Sequence, residues 1–207
     1  MFDFLKQLTD PESIIKYGGL ALLLFVIFAE TGLFVGFFLP GDNLIFIAGL
    51  LCATKPDLLN VSFPLLLILM MLAAITGNMF GFWFGKKAGE ALYNRKDSFF
   101  FRKRHLELTK AFYEKHGGKT LILGRFIPII RTFAPIFAGV TGIGFRKFML
   151  YNVIGAVAWI GGISSISFYL GKHFPEVENH LGLIFISLIV LTAIPLITAF
   201  LRSRKKQ

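Results

Sequence analysis

Four ionisable residues lie inside long apolar stretches of this sequence: Glu30, Asp42, Arg125 and Arg131. An arginine at the centre of a lipid-facing helix costs about 2.5–3.5 kcal/mol on insertion scales. These side chains should therefore face a protein interior or a wet cavity and find partners there. Two acids and two arginines make a set without net charge, and the fixed fork of donors on arginine suits a phosphate group.

Proline and glycine interrupt the same apolar stretches. Pro128 cannot donate a hydrogen bond to the carbonyl of Gly124, and Pro135 cannot donate one to the carbonyl of Arg131. Pro40 and Gly41 break the earlier stretch just before Asp42. Broken backbone at membrane depth is tolerated only where protein or water satisfies it. We therefore expect the hairpin breaks and the four charges to share one polar pocket, with helix N-termini that favour an anion.

Two plainer interpretations of the charges remain open. The four residues could pair only to fix the fold, although apolar residues would do so without the desolvation cost. Asp42 could simply cap the helix that follows Gly41, which is compatible with proton binding. We predict no catalytic residue and no metal site, because the sequence contains neither an HExxH arrangement nor a GxSxG elbow. The chain is expected not to be an enzyme and to need no cofactor.

Composition indicates the setting of these charges. The chain has 207 residues, of which 55% are hydrophobic and 16% are charged, and its mean hydropathy is +0.69. A soluble domain of this size carries about 25% charged residues. We therefore predict an all-α integral membrane protein with a single domain over residues 1–207.

The net charge of +10 is concentrated in two places. Ten of the 22 Lys and Arg residues lie between Lys86 and Lys119, and four more lie between Arg202 and Lys206. Both clusters flank apolar segments, as cytoplasmic loops do beside anionic lipid. The pattern favours a membrane surface and no nucleic-acid partner, and it places the C-terminus in the cytoplasm.

The predicted segments follow from apolar runs and their breaks. They are an interfacial segment (1–16), a re-entrant hairpin (17–53), a span (62–85), a basic cytoplasmic loop (86–119), a second re-entrant hairpin (120–145) and two further spans (148–171 and 181–201). Within the first span, Gly77, Gly81, Gly85 and Gly89 recur every four residues and predict a close contact with a neighbouring helix.

Topology supports the second hairpin independently. If residues 86–119 and the C-terminal tail are both cytoplasmic, the number of crossings between them must be even. The spans 148–171 and 181–201 already supply two, so residues 120–145 must enter and leave on one side. A hairpin followed by a span then occurs twice, in opposite directions, which makes an inverted repeat of the kind common in secondary transporters. The side of the N-terminus stays open.

Several motifs resemble the DedA family, of the SNARE-associated or VTT domain superfamily. The residues that carry the resemblance are Phe28-Ala29-Glu30-Thr31-Gly32, Phe38-Leu39-Pro40-Gly41-Asp42, Phe112–Thr120, Gly124–Pro135, Ala138-Gly139, Tyr151–Ala156 and Trp159. The resemblance covers roughly residues 15–200. One departure is Asn78, which stands where close relatives often carry an aspartate, so a protonation role at that site is doubtful here.

The resemblance implies a bacterial inner-membrane protein with paired re-entrant hairpins, similar to the eukaryotic lipid scramblases of autophagy. It implies recycling of undecaprenyl phosphate, or transport of phosphatidylethanolamine, with dependence on the proton motive force. The essential arginines of the family match Arg125 and Arg131, and its acidic residues match Glu30 and Asp42. We therefore expect a flippase-like lipid transporter with lipid phosphate on the arginines and protons on the acids.

Other functions stay open at this stage. A proton-coupled antiporter for a small cation would use the two carboxylates but has no obvious use for two buried arginines. A non-transporting scaffold would need only the fold. The transported lipid, the direction of transport and the oligomeric state are not determined by the sequence.

Overall fold

The computed structural model describes residues 11–33, 41–93, 128–174 and 176. Every regular element in these ranges is helical, which confirms the predicted all-α class. The helices are α1 (Pro11–Gly32), α2 (Gly41–Thr54), α3 (Pro56–Leu59), α4 (Phe63–Tyr93), α5 (Pro128–Val140) and α6 (Phe145–His173). A π-helical turn, Val157–Gly161, lies within α6.

Helix α1 consists of two pieces joined at a kink. It begins at Pro11, as expected for a residue whose missing N–H would be unpaired in the first turn anyway. Gly19 has φ 56° and ψ −153°, a conformation that glycine adopts without steric cost. The first piece therefore ends at the predicted Gly18-Gly19 position, and an apolar piece continues to Gly32.

Helices α4 and α6 are long and apolar enough to cross a membrane. The qualifying segments are Phe63–Ala88, with 26 residues, and Phe145–His173, with 29 residues. At about 1.5 Å per residue each exceeds the roughly 30 Å hydrocarbon core of a bilayer. Large apolar side chains are exposed along both helices, among them Leu65, Ile68, Leu72, Leu150, Val157 and Ile166. Lipid is the natural solvent for such faces.

The two long helices run antiparallel. Phe63, at the start of α4, stacks on Phe168 near the end of α6, with ring centroids 4.0 Å apart. Phe82, near the other end of α4, stacks on Phe148 near the start of α6 at 4.5 Å. The opposite directions expected for the spans 62–85 and 148–171 agree with this pairing.

Glycines let the helices around α4 approach closely. A Cβ atom on Gly77 would lie 2.6 Å from the carbonyl oxygen of Phe28 in α1. A Cβ atom on Gly85 would overlap the backbone of Ile136 in α5. Gly81 lies between them and faces both neighbours. The four-residue spacing thus marks a packing face, as predicted for these three glycines. Gly89 is not among the residues whose burial the structure describes.

Helix α2 packs in the same way against the second half of α6. Gly49 faces Ser164 and Ser167, and Gly171 faces Leu50 and Ala53. The main apolar core lies between α1, α2, α4 and this part of α6, around fully buried Leu23, Leu44, Leu66 and Ile160. A smaller cluster of Phe82, Ala134, Ala138 and Phe148 joins α4, α5 and α6.

Two predicted boundaries differ from the observed helices. The first span was predicted to end at residue 85, but α4 continues to Tyr93. The helix continues because Lys86, Lys87 and Ala88 are good helix formers. The span 148–171 begins three residues earlier, at Phe145. The span 181–201, most of the basic loop and the first part of the hairpin 120–145 lie outside the described residues.

Candidate functional site

A buried arginine joins three helices at one point. Arg131 on α5 donates through Nη1 to Oδ1 of Asp42 on α2, and through Nη2 to Oε1 of Glu30 on α1. The side chains of Arg131 and Glu30 are 4% and 8% exposed, and that of Asp42 is 20% exposed. The pairing that the sequence predicted for these three residues is present in the structure.

The ends of two helices meet at this ion cluster. Glu30 lies in the last turn of α1, and Asp42 lies in the first turn of α2. The carboxylate of Glu30 lies against Gly41, the first residue of α2, where a Cβ atom would overlap Oε2. The first N–H groups of a helix have no partner within the helix and carry partial positive charge, so a carboxylate is stabilised there. Glu30 therefore places a carboxylate at the N-terminus of α2.

Gly41 is required at this position by space. A Cβ atom there would overlap Oε2 of Glu30. Any side chain would push the carboxylate away from the helix terminus and from Arg131. The hairpin break predicted at Gly41 is thus also a wall of the ion cluster, while Pro40 lies outside the described residues.

Two prolines of α5 bracket Arg131. Pro128 is the first residue of α5, and Pro135 lies inside the helix, four residues after Arg131. Because proline has no N–H, the carbonyl of Arg131 receives no hydrogen bond from residue 135. A backbone acceptor and a guanidinium donor thus occur on the same residue.

Trp159 is part of the site although sequence reasoning assigned it no role. It lies in the π-helical turn of α6, and its indole Nε1 donates to Oδ1 of Asp42 at 2.9 Å. Single π turns inside α-helices are frequent at functional sites. The matching signal in the sequence was Trp159 itself, a polar-tipped aromatic residue in a predicted span.

Among the residues that the structure describes, the cluster has an excess of negative charge and one unused donor. Two carboxylates face one guanidinium, which leaves a net charge of −1 when both acids are ionised. Nε of Arg131 is buried and has no acceptor in the part of the chain that the structure describes. The arrangement can therefore take up a proton or cation on the acids, or an acceptor oxygen on the arginine.

Some predicted site residues cannot be compared with the structure. Arg125 and Pro40 lie outside the described residues, so the neutral set of four charges stays a prediction. Among the described residues, no group of three or more His, Cys, Asp or Glu side chains could hold a metal ion.

A second buried polar contact lies between the long helices. Nδ2 of Asn78 donates to Oδ1 of Asn152 at 2.8 Å, and Nδ2 of Asn152 donates to the carbonyl of Ile75 at 3.1 Å. Both asparagines are almost completely buried. The contact ties α4 to α6 through neutral groups, which suits the doubt about a protonation role for Asn78.

Helices of membrane-spanning length, lipid-facing apolar surfaces and a buried ion cluster define an α-helical membrane protein with a polar centre. Residues 39–169 match the VTT domain family. The chain belongs to the DedA family of VTT-domain membrane proteins.

Curated relatives cover most of the chain. It is 40% identical over 196 residues to Protein DedA of Escherichia coli K12, covering 94% of this chain and 88% of that protein. It is 34% identical over 180 residues to the uncharacterized membrane protein Rv0364 of Mycobacterium tuberculosis, covering 87% and 78%. It is 31% identical over 174 residues to the inner membrane protein YqjA of E. coli K12, covering 81% and 73%. No solved structure matches the chain.

Proposed function

We propose that the protein moves a phosphate-bearing lipid, undecaprenyl phosphate in the first instance, across the bacterial inner membrane. The observation that carries the proposal is Arg131, a buried guanidinium held between two carboxylates, whose Nε–H has no acceptor among the described residues. A structural ion pair does not need a third, unpaired donor at the same buried side chain. An anionic headgroup supplies acceptor oxygens for it.

The carboxylates set when Arg131 is available. Protonation of Glu30 or Asp42 weakens its hold on the guanidinium and frees donors for a phosphate oxygen. Release of the phosphate lets the ion pairs form again. Proton uptake and lipid binding are coupled because the ionised carboxylates and the lipid phosphate compete for the same arginine. Arg125 is proposed as a second ligand of the phosphate.

Helix lengths support a re-entrant arrangement around this centre. The apolar helices Gly18–Gly32 and Gly41–Thr54 have 15 and 14 residues. Each is therefore about 21–23 Å long, less than the roughly 30 Å needed to cross. We propose that they enter and leave on one side, with the break at Pro40-Gly41 inside the membrane, and that residues 120–145 do the same from the other side. A wet path between such hairpins would let a headgroup pass while its tail stays in lipid.

The decisive experiment measures movement of undecaprenyl phosphate across proteoliposomes, with and without a pH gradient. Wild type is compared with Arg131→Ala, Glu30→Gln and a matched control, Arg146→Ala, at an exposed arginine of α6. We expect the first two variants to lose movement and the control to keep it. If all folded variants move the lipid at the wild-type rate, the arginine mechanism is wrong. If wild type moves a phospholipid such as phosphatidylethanolamine but not undecaprenyl phosphate, the substrate assignment is wrong.

The excess negative charge of the described cluster favours one second candidate, a proton-coupled antiporter for a small cation. Glu30 and Asp42 would bind the cation and protons in turn, and Arg131 would only set the local charge. Cation-dependent proton movement in the same vesicles, without any lipid movement, would select this function over lipid transport.

A further inference from the structure

A deep apolar groove opens on the lipid-facing side of α4, away from the ion cluster. Its volume is about 550 Å³. The walls are formed mainly by aromatic side chains from α1, α4 and the start of α6. The described lining residues are Phe28, Thr76, Met79, Phe80, Phe82, Trp83, Lys86 and Phe145.

The groove has a direction. Thr76 and Lys86 lie ten residues apart on α4, which is about 15 Å along the helix axis. This is close to half of a roughly 30 Å hydrocarbon core, the depth of one leaflet. One end has no charged lining residue, and the hydroxyl of Thr76 there donates to the carbonyls of Leu72 and Ala73. The other end reaches the charged end of the helix. A single lipid tail with its headgroup at Lys86 matches that polarity and length.

Charge selects the kind of headgroup. Lys86 lines the groove, and Nζ of Lys87 lies 5.0 Å from the ring centroid of Trp83. Arg146 and Lys147 follow Phe145 at the same end, and both are exposed. Among the side chains that the structure describes here, none is acidic. Basic pockets between helices at a membrane surface attract anionic lipids.

An apolar wall alone would not select a lipid. Bilayer tails are as apolar as the groove, so entry of a tail removes no apolar surface from water. Preference for one lipid over another must therefore come from the basic end. Trp83 is 56% exposed, so its ring is available both to a tail and to the glycerol region.

We propose that this groove binds one anionic phospholipid of the bilayer, with a tail packed against Phe28, Phe80 and Trp83 and its phosphate at Lys86. The site is separate from the ion cluster. It does not depend on the proposed transport activity, because it is measured by binding.

Tryptophan fluorescence provides a local test, since Trp83 and Trp159 are the two tryptophans of the chain. Trp159→Phe leaves Trp83 as the reporter in vesicles of zwitterionic lipid. A minor fraction of tail-brominated phosphatidylglycerol is then compared with the same fraction of tail-brominated phosphatidylcholine. We expect the local enrichment of the anionic lipid to be about fivefold, the effect of one basic residue near the surface. If Trp159→Phe does not fold, the difference between wild type and Trp83→Phe gives the same signal.

Matched variants separate the groove from general surface charge. Lys86→Gln should abolish the preference, whereas Lys172→Gln, the same charge change at an exposed position at the other end of α6, should keep it. Thr76→Phe should fill the apolar end and lower quenching by the anionic lipid. Equal quenching by both lipids would assign the groove to bulk lipid and overturn the proposal. Equal losses in the two lysine variants, unchanged quenching in Thr76→Phe, or quenching by neither lipid would also overturn it.

Discussion

Trp159 and Arg131 bind the same oxygen atom, Oδ1 of Asp42. One donor comes from the π-helical turn of α6 and the other from α5, so Asp42 is held from two helices at once. If Arg131 turns to another ligand, the indole N–H remains and keeps the carboxylate in place. Asp42 therefore has one partner that can turn to another ligand, Arg131, and one that stays in place, Trp159.

Trp159→Phe tests the fixed partner. The change keeps a six-membered aromatic ring but removes the indole N–H. The charged carboxylate of Asp42 therefore loses one hydrogen bond. We expect a loss of about 1.5–3 kcal/mol in the free energy of unfolding, measured by denaturation in detergent. Trp83→Phe, at an exposed position, is the control and should change stability by less than about 0.5 kcal/mol. Equal effects of the two variants would contradict the role assigned to the indole.

Removal of Arg131 should be costly for a different reason. Arg131→Ala leaves Glu30 and Asp42 buried without their cation, and we expect a loss of about 3–5 kcal/mol in the free energy of unfolding. Adding Glu30→Gln removes one of the two stranded charges, so the double variant should be more stable than Arg131→Ala alone. A double-mutant cycle by chemical denaturation measures this coupling. Strict additivity would mean that the two residues do not interact in the folded protein.

Arg131→Lys tests geometry at constant charge. A lysine ammonium is a point charge and cannot present the planar fork that reaches Glu30, Asp42 and a phosphate oxygen together. We expect the variant to fold but to lose most lipid movement in proteoliposomes. Arg146→Lys is the matched control at an exposed site and should remain active. Full activity of Arg131→Lys would refute the fork argument.

Gly41→Ala tests the space beside Glu30. The added methyl group overlaps the carboxylate, and overpacking of this kind costs about 1–3 kcal/mol. We expect lower thermal stability and weaker lipid movement. Gly162→Ala is the control, because a Cβ atom there meets nothing within 4 Å and alanine favours a helix by up to about 1 kcal/mol. The prediction fails if both alanine variants are as stable as wild type.

Asn78→Asp replaces the donor that binds Asn152 by an acceptor. Two oxygens then face each other in a buried contact, with an expected loss of about 1–3 kcal/mol at neutral pH. A protonated carboxyl regains a donor, so the loss should shrink as the pH falls. Unfolding measured at neutral and acidic pH, with wild type as reference, checks both statements. A variant as stable as wild type at neutral pH would show that the amide contact is dispensable.

Some of this site could be predicted because burying charge in a membrane leaves few solutions. Glu30, Asp42 and Arg131 stand in apolar surroundings, so their pairing follows from desolvation cost alone. The four-residue spacing of Gly77, Gly81 and Gly85 likewise predicts a packing face. These predictions depend on residue type and periodicity, which the sequence contains directly.

The role of Trp159 could not be predicted in the same way. An aromatic residue in an apolar helix is typical of packing, and the extra residue of the π turn has no sequence signature. The end of α4 was missed because Lys86 and Lys87 favour helix and a cytoplasmic loop equally well. Sharing of one oxygen by two donors depends on distances between helices, which periodicity does not contain.

The ion cluster also has a consequence for biosynthesis. Glu30 and Asp42 precede Arg131 by 101 and 89 residues. At about 5–20 residues per second, both acids are made roughly 5–20 s before their partner. During that interval α1 and α2 carry two acids that a bilayer interior does not accept without protonation or a partner. The ion pairs of Glu30 and Asp42 can therefore form only after α5 has been synthesised. The acids of this centre are thus in place before its arginine is made.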